Sequence, residues 1–176
     1  MNLREEKSNA HSIVLFFTLF LGYEWLMSGL AKLISSSFIS GFHDQIAKHV
    51  SKAYGFYVPV LKHLVVPNAR TFAYIIELSE LFIGVVFIIA FFAMVTNAYK
   101  WMLKWGIAAS YLATFISLNI FSFSGETYFA NPAKPFKPSV SFNILFAVME
   151  ICLIVYFTRL HHAASISRSS QSHISA

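Results

Sequence analysis

Four of the chain's eight acidic residues lie inside stretches that are otherwise apolar enough to cross a membrane. These residues are Glu24, Glu77, Glu80 and Glu150. A charge at that depth costs about 2.5 kcal/mol or more on insertion scales, so such residues usually face a protein interior and have a function. We therefore predict that these four are catalytic groups. Glu80 and Glu150 are expected to accept and release protons, which suits proton transfer to or from a quinone.

Cationic and amide side chains accompany the acids. We predict that substrate is bound by four residues, Lys32, Arg70, Asn119 and Asn143. Ser28 and Lys32 follow Glu24 at four-residue steps, and such steps lie on one face of a helix. The pattern predicts a polar funnel with acids at its floor, and the cations at its mouth would attract an anion.

The composition indicates a membrane protein. The chain is 57% hydrophobic and 12% charged, whereas a soluble domain averages about 25% charged residues. Four apolar runs have lengths near or above the threshold for a spanning helix, at 13–34, 71–95, 101–123 and 140–157. We predict an all-α integral membrane protein. Its four-helix domain, 13–158, would lie between a polar N-terminus, 1–12, and a mobile Ser/His-rich tail, 159–176.

The long first connection, 35–70 (loop 1), is expected to be partly helical. Its apolar residues recur at helical spacing, namely Phe38, Ile39, Phe42, Ile46 and Val50. This pattern predicts an amphipathic helix at the membrane interface. Pro59 and Pro67 bracket a second short segment. The link at 96–100 is tight enough for an antiparallel hairpin, and the prolines of loop 3, 124–139, predict an extended chain.

Positions along the helices convert to depth at 1.5 Å per residue. By this measure Glu24 lies about 16 Å into its helix, Glu80 about 14 Å and Glu150 about 15 Å. Three carboxylates on three helices are therefore expected at one level. Glu77 is one turn from Glu80, towards the loop 1 side.

The positive charges do not decide the topology by number. Six Lys or Arg residues lie on the side of the termini and six on the side of loops 1 and 3. Because the short link places Lys100 and Lys104 beside helix ends, we predict cytoplasmic termini and a multi-pass protein of the plasma membrane. The net charge of +5 is spread over loops and favours a lipid surface or small anions over nucleic acid.

Several cofactor motifs are missing from the sequence. Cys152 is the single cysteine, so neither an intrachain disulfide nor a CxxC pair is possible. No histidine lies in a predicted span, which argues against haem held between two helices. The spacing of His43, Asp44 and His49 suits a surface helix better than a metal site. We expect no haem or metal in this chain.

Two segments resemble the DoxX/DoxD family, namely GYEWLMSGLAKL at 22–33 and YIIELSELFIG at 74–84. PNA at 67–69 and SLN at 117–119 also fit, so the resemblance covers most of 13–158. It implies a small membrane subunit of a respiratory oxidoreductase. The DoxD branch is similar to the membrane subunit of thiosulfate:quinone oxidoreductase in acidophilic archaea, with quinone as the electron acceptor. Lys32 and Glu80 are the positions that match the family.

Two other kinds of function remain open. The chain would be an accessory structural subunit of a larger membrane complex, such as a terminal oxidase or a monooxygenase, if its acids pair with cations of neighbouring subunits. A proton-coupled carrier is the weaker alternative, because the sequence has no evident internal repeat. In either role, as an oxidoreductase subunit or as an accessory subunit, the chain is expected to belong to a hetero-oligomer or a homo-oligomer.

Overall fold

The computed structural model of the chain describes residues 3–35, 37–125 and 141–174, with side chains from 11 to 165 within those ranges. All regular elements of this part of the chain are helical. They are α1 (Leu3–Ile34), α2 (Phe38–His49), α3 (Val58–Val60), α4 (Ala69–Val95), α5 (Leu103–Ser124) and α6 (Phe142–Ile174). A π-helical turn, Leu61–Val65, extends α3, and a 3₁₀ turn, Tyr99–Trp101, precedes α5.

Four of these helices are long and apolar enough to cross a membrane, and they coincide with the four predicted runs. The prediction of four long apolar helices is therefore confirmed. Two of the helices continue into polar sequence, since α1 begins at Leu3 and α6 ends at Ile174. Only residues 124 and 125 of loop 3 are described, so its three prolines lie outside the described residues.

The four long helices form a ring in the order α1, α4, α5, α6, in which each helix packs on the next and α6 returns to α1. Neighbours run antiparallel, as in an up-and-down four-helix bundle. On α1 and α4, Gly22 lies against Ile88 whereas Gly29 lies against Leu81. Residue numbers at the contacts rise along α1 while they fall along α4, so the two helices are antiparallel.

Glycine and alanine allow the helices to approach closely. A Cβ atom on Gly84 would lie less than 3.0 Å from the backbone of Leu26, so α1 and α4 touch main chain to main chain at this point. Large side chains such as Phe87 and Phe157 fill the space between the helices and are almost fully buried. Many other large apolar residues on all four helices face outward, as expected for surfaces that contact lipid.

Loop 1 contains the predicted amphipathic helix, α2, at the expected position. Its buried residues Phe42 and Ile46 pack with Val65 and Ala73 in a small second core. The loop also covers the end of α5, where the amide of Tyr54 donates to the carbonyl of Ser122 over 3.2 Å. Loop 1 therefore closes one end of the bundle, which we call the loop 1 end.

The link between α4 and α5 forms the predicted tight turn. Asn97 adopts a left-handed conformation with φ of 57°, which asparagine tolerates better than most residues. The amide of Ala98 donates to the carbonyl of Ala93 over 2.8 Å. This turn, the start of α1 and the end of α6 lie at the opposite end of the bundle, which we call the terminal end.

The contact of Gly84 with Leu26 predicts a stability effect. Gly84→Ala should force α1 and α4 apart and destabilise the protein by about 1–3 kcal/mol, as overpacking does. Gly41→Ala is the matched control, because nothing lies within 4 Å of the added methyl group in α2. Helix unfolding of the purified protein in detergent, followed by circular dichroism, measures both. Equal stability of the two variants would show that the close contact of Gly84 with Leu26 does not contribute to the stability of the fold.

Candidate functional site

The ion pair between Lys32 and Glu80 is the most distinctive polar contact of the bundle. Lys32 Nζ lies 2.5 Å from Glu80 Oε2 and also donates to Ser28 Oγ over 2.8 Å. The close packing of α1 on α4 brings the last turn of one helix beside the middle of the other. Lys32 and Glu80, the two positions that the sequence motifs singled out, are therefore direct partners.

The two members of this pair differ in their access to solvent. The side chain of Glu80 is 2% exposed and that of Lys32 is 23% exposed. A carboxylate with so little access to water needs a cation or hydrogen-bond donors nearby, and Lys32 supplies both. The pair thus links a closed interior position to a more open one.

A groove of about 520 Å³ opens beside Lys32 at the loop 1 end. It is lined by Ser28, Ala31, Lys32, Ser35, Ser37, Phe38, Gly41 and Gln45. Lys32 Nζ lies 5.6 Å from the centre of the Phe38 ring, within the range of a cation–π contact. The groove combines a cation, hydroxyl groups and an aromatic ring, and it adjoins a buried acid.

Glu150 forms a second polar centre deep in the bundle. Its side chain is fully buried, and Oε1 accepts hydrogen bonds from Trp25 Nε1 over 2.9 Å and from Ser117 Oγ over 3.3 Å. Oε2 has no hydrogen-bond partner among the described residues. Three helices, α1, α5 and α6, meet at this carboxyl group, which therefore joins them through polar contacts.

Glu80 does not share the level of Glu24 and Glu150. Gly84 packs on Leu26, and Glu80 is one turn from Gly84 towards the loop 1 end. Glu80 is therefore about 9 Å from the level of Glu24 along the bundle. Glu150, by contrast, bonds to the residue that follows Glu24. The expectation of one level is wrong for Glu80, because glycine contacts and not the ends of apolar runs set the helix register.

Glu24 and Glu77 take no part in the hydrogen bonds of either polar centre. Glu77 is 6% exposed and Glu24 is half-buried. Neither carboxylate has an ion pair or hydrogen bond with the described residues. A catalytic role for these two acids stays a prediction.

The other predicted substrate-binding residues lie outside the groove of Lys32. Arg70 is exposed near the start of α4, and the backbone N–H of Asn143 donates to Ser141 Oγ over 3.2 Å. Asn119 Oδ1 accepts a hydrogen bond from the hydroxyl of Tyr57 over 2.5 Å. Burial raises the pKa of Tyr57 above its ordinary value, so this phenol stays protonated and donates. Asn119 thereby holds loop 1 against α5.

Three residues of these centres were not predicted from the sequence as site residues. They are Trp25, Ser117 and Phe38. Trp25 is buried, as a packing residue would be. Its indole donor, however, faces Glu150. A signal was present, because a buried tryptophan usually requires an acceptor for its N–H, but the sequence does not show which acceptor lies across the bundle.

Comparison of the chain with protein-family models, curated proteins and solved structures gives no match. The resemblance to the DoxX/DoxD family therefore stays a prediction from the sequence motifs.

Replacing one member of the ion pair should destabilise the protein more than replacing both members with apolar residues. Lys32→Met should cost about 3 kcal/mol because Glu80 is left without its cation. The double variant Lys32→Met/Glu80→Leu should be more stable than the single one. Asp44→Asn is the control, since its pair with His43 is exposed and is expected to contribute less than about 1 kcal/mol. Denaturant unfolding in micelles compares the wild type, Lys32→Met, Glu80→Leu, the double variant and the control. If the costs of the two single variants add up in the double variant, the coupling is contradicted.

Removing the indole donor should destabilise the bundle at Glu150. Trp25→Phe is expected to cost about 1–3 kcal/mol, since it removes a hydrogen bond to a buried carboxyl group. In a Glu150→Leu background the same change should cost less, and this difference isolates the hydrogen bond from lost packing. Trp105→Phe, at a residue that is 54% exposed, is the control. An equal cost in both backgrounds would show that Trp25 acts by packing alone.

Proposed function

We propose that this chain is an integral membrane protein and the membrane subunit of a respiratory oxidoreductase that couples thiosulfate oxidation to quinone reduction. The observation that carries the proposal is the Lys32–Glu80 ion pair beside the loop 1 groove. Membrane insertion is supported by four long apolar helices and by their outward-facing large apolar side chains. The reaction is supported by the motifs at 22–33 and 74–84, which contain both members of the pair.

The residues around the groove fit a quinone head group. A quinone carbonyl oxygen needs a hydrogen-bond donor, and Lys32 Nζ and the hydroxyl of Ser28 supply donors at the groove wall. The ring needs an apolar or aromatic surface, which Phe38 offers. In this proposal Lys32 holds the head group, and the Glu80 carboxylate behind it relays protons to the groove through the lysine.

The proposed reaction balances two electrons. Two thiosulfate anions join through a new S–S bond to form tetrathionate and release two electrons, which reduce one quinone to quinol together with two protons. Glu80 is suited to pass these protons because it is buried but touches a lysine that reaches the groove. Lys32 and Arg70 provide the positive charge that would attract thiosulfate to the loop 1 end. The plasma membrane is the expected location, with both termini in the cytoplasm.

An accessory role in a larger complex is the second candidate, and Glu24 favours it. This carboxylate lies in the middle of α1, is half-buried, and has no partner among the described residues. A charge at mid-span normally has a partner within protein. A cation on a neighbouring subunit would meet that need, in a hetero-oligomer or a homo-oligomer. In this candidate function the catalytic site belongs to another chain.

Steady-state kinetics on the purified native complex tests the proposal. With thiosulfate as donor and a short-chain quinone as acceptor, Glu80→Gln should lower kcat by about 100-fold or more, the scale of a lost acid–base group. Lys32→Gln should raise KM for quinone, because it removes a binding contact. Asp44→Asn and Lys48→Gln change exposed charges in α2 and should leave both constants unchanged.

The result also separates the two candidate functions. Wild-type turnover in both the Glu80→Gln and Lys32→Gln complexes would rule out the proposed site. If the chain also remains bound in a stable larger complex, the accessory role is favoured. Helix content and complex size, measured for each variant, show whether a loss of turnover reflects chemistry or misassembly.

A further inference from the structure

A second groove, of about 480 Å³, opens at the terminal end of the bundle, away from the ion pair. Its lining residues are Lys100, Trp101, Leu103, Lys104, His161, Ala164 and Ser165. They come from the 3₁₀ turn, the start of α5 and the late part of α6. The groove therefore lies between two antiparallel helices, where the apolar part of α5 begins.

The charge of this groove is suited to an anion. Lys100 and Lys104 line it together with His161, and no acidic side chain is among the described lining residues. The groove also adjoins the first turn of α5, where the helix dipole favours negative charge. Ser165 lies on the opposite wall, where its hydroxyl donates to the carbonyl of His162 over 2.7 Å.

The apolar surroundings of the groove indicate what kind of anion it would accept. Trp101 lines the groove and is 62% exposed, and Trp105 is 54% exposed one turn further along. Tryptophan is enriched where a membrane meets water. Leu103 and Ala164 give the groove apolar walls. A free phosphate ion would use only the cations, whereas a phospholipid would use the cations and the apolar surface.

We propose that this groove binds the phosphate group of an anionic phospholipid. Lys100 and Lys104 would contact the head group, Trp101 would lie at the level of the glycerol backbone, and the acyl chains would follow the outer face of α5. The inference rests on the proposed membrane insertion and not on the proposed redox reaction. It adds a lipid site at the terminal end, where an anionic cytoplasmic leaflet would attract basic residues.

Native mass spectrometry of the full-length protein in detergent tests the site. Phosphatidylglycerol and phosphatidylcholine of the same chain length are added at equal concentration, and retained lipids are counted. The wild type should retain phosphatidylglycerol preferentially. Lys100→Gln/Lys104→Gln should lower that retention by roughly thirtyfold, since each basic residue beside an anionic lipid contributes about fivefold. Lys100→Arg/Lys104→Arg should keep it.

The controls separate this site from general charge and from folding. Lys48→Gln/Lys52→Gln removes the same charge at the loop 1 end and should leave lipid retention unchanged. Unfolding of each variant without added lipid shows that the fold is intact. Unchanged phosphatidylglycerol retention in Lys100→Gln/Lys104→Gln, or equal retention of the two lipids by the wild type, would overturn the proposal.

Competition with inorganic phosphate distinguishes the two sources of a phosphate group. Displacement of the lipid only at a large excess of phosphate supports a phospholipid site. Displacement at equal concentration would overturn it in favour of a free anion. The proposed quinone reduction depends on Lys32 and Glu80 at the other end of the bundle. A negative result in the lipid experiment therefore leaves the kinetic experiment interpretable, and the reverse also holds.

Discussion

The close contact between α1 and α4 determines where the polar groups of this protein meet. Gly84 of α4 lies directly on the backbone of Leu26, and Gly22 and Gly29 of α1 lie against α4 on either side. Without side chains at these positions, the helices approach until their backbones touch, as small residues permit in membrane helices. That contact fixes the register. A shift of one turn, about 5 Å, would separate Lys32 from its acid.

The register matters because a buried charge tolerates little displacement. Glu80 is almost closed off from solvent, and the attraction of a nearby cation must offset the cost of removing its carboxylate from water. Only Lys32 supplies that cation among the described residues. The same geometry leaves the lysine partly open to the groove. A buried acid and a partly accessible cation thus form one unit.

The remaining acids show that similar positions in sequence have different surroundings in the bundle. Glu150 is held by neutral donors, the indole of Trp25 and the hydroxyl of Ser117, and retains one oxygen without a partner among the described residues. Glu24 is half-buried and meets no cation in that part of the chain. The two ends of the bundle differ as well. The loop 1 end contains the acid–lysine pair. The terminal end contains a basic groove, and none of its described lining residues is acidic.

The sequence by itself determined the local elements. Four apolar runs of spanning length predict four long helices, and the spacing of Phe42 and Ile46 predicts α2, because both signals come from residues within one turn or one segment. Lys32 and Glu80 were also identifiable singly, as charges in apolar surroundings. Only the tertiary structure decided that they are partners and that Trp25 donates a hydrogen bond to Glu150. It also decided that Glu80 lies at a different level along the bundle from Glu24 and Glu150. These facts depend on how two helices slide against each other. Backbone contacts at a few glycines set that position, and periodicity within one helix carries no information about it.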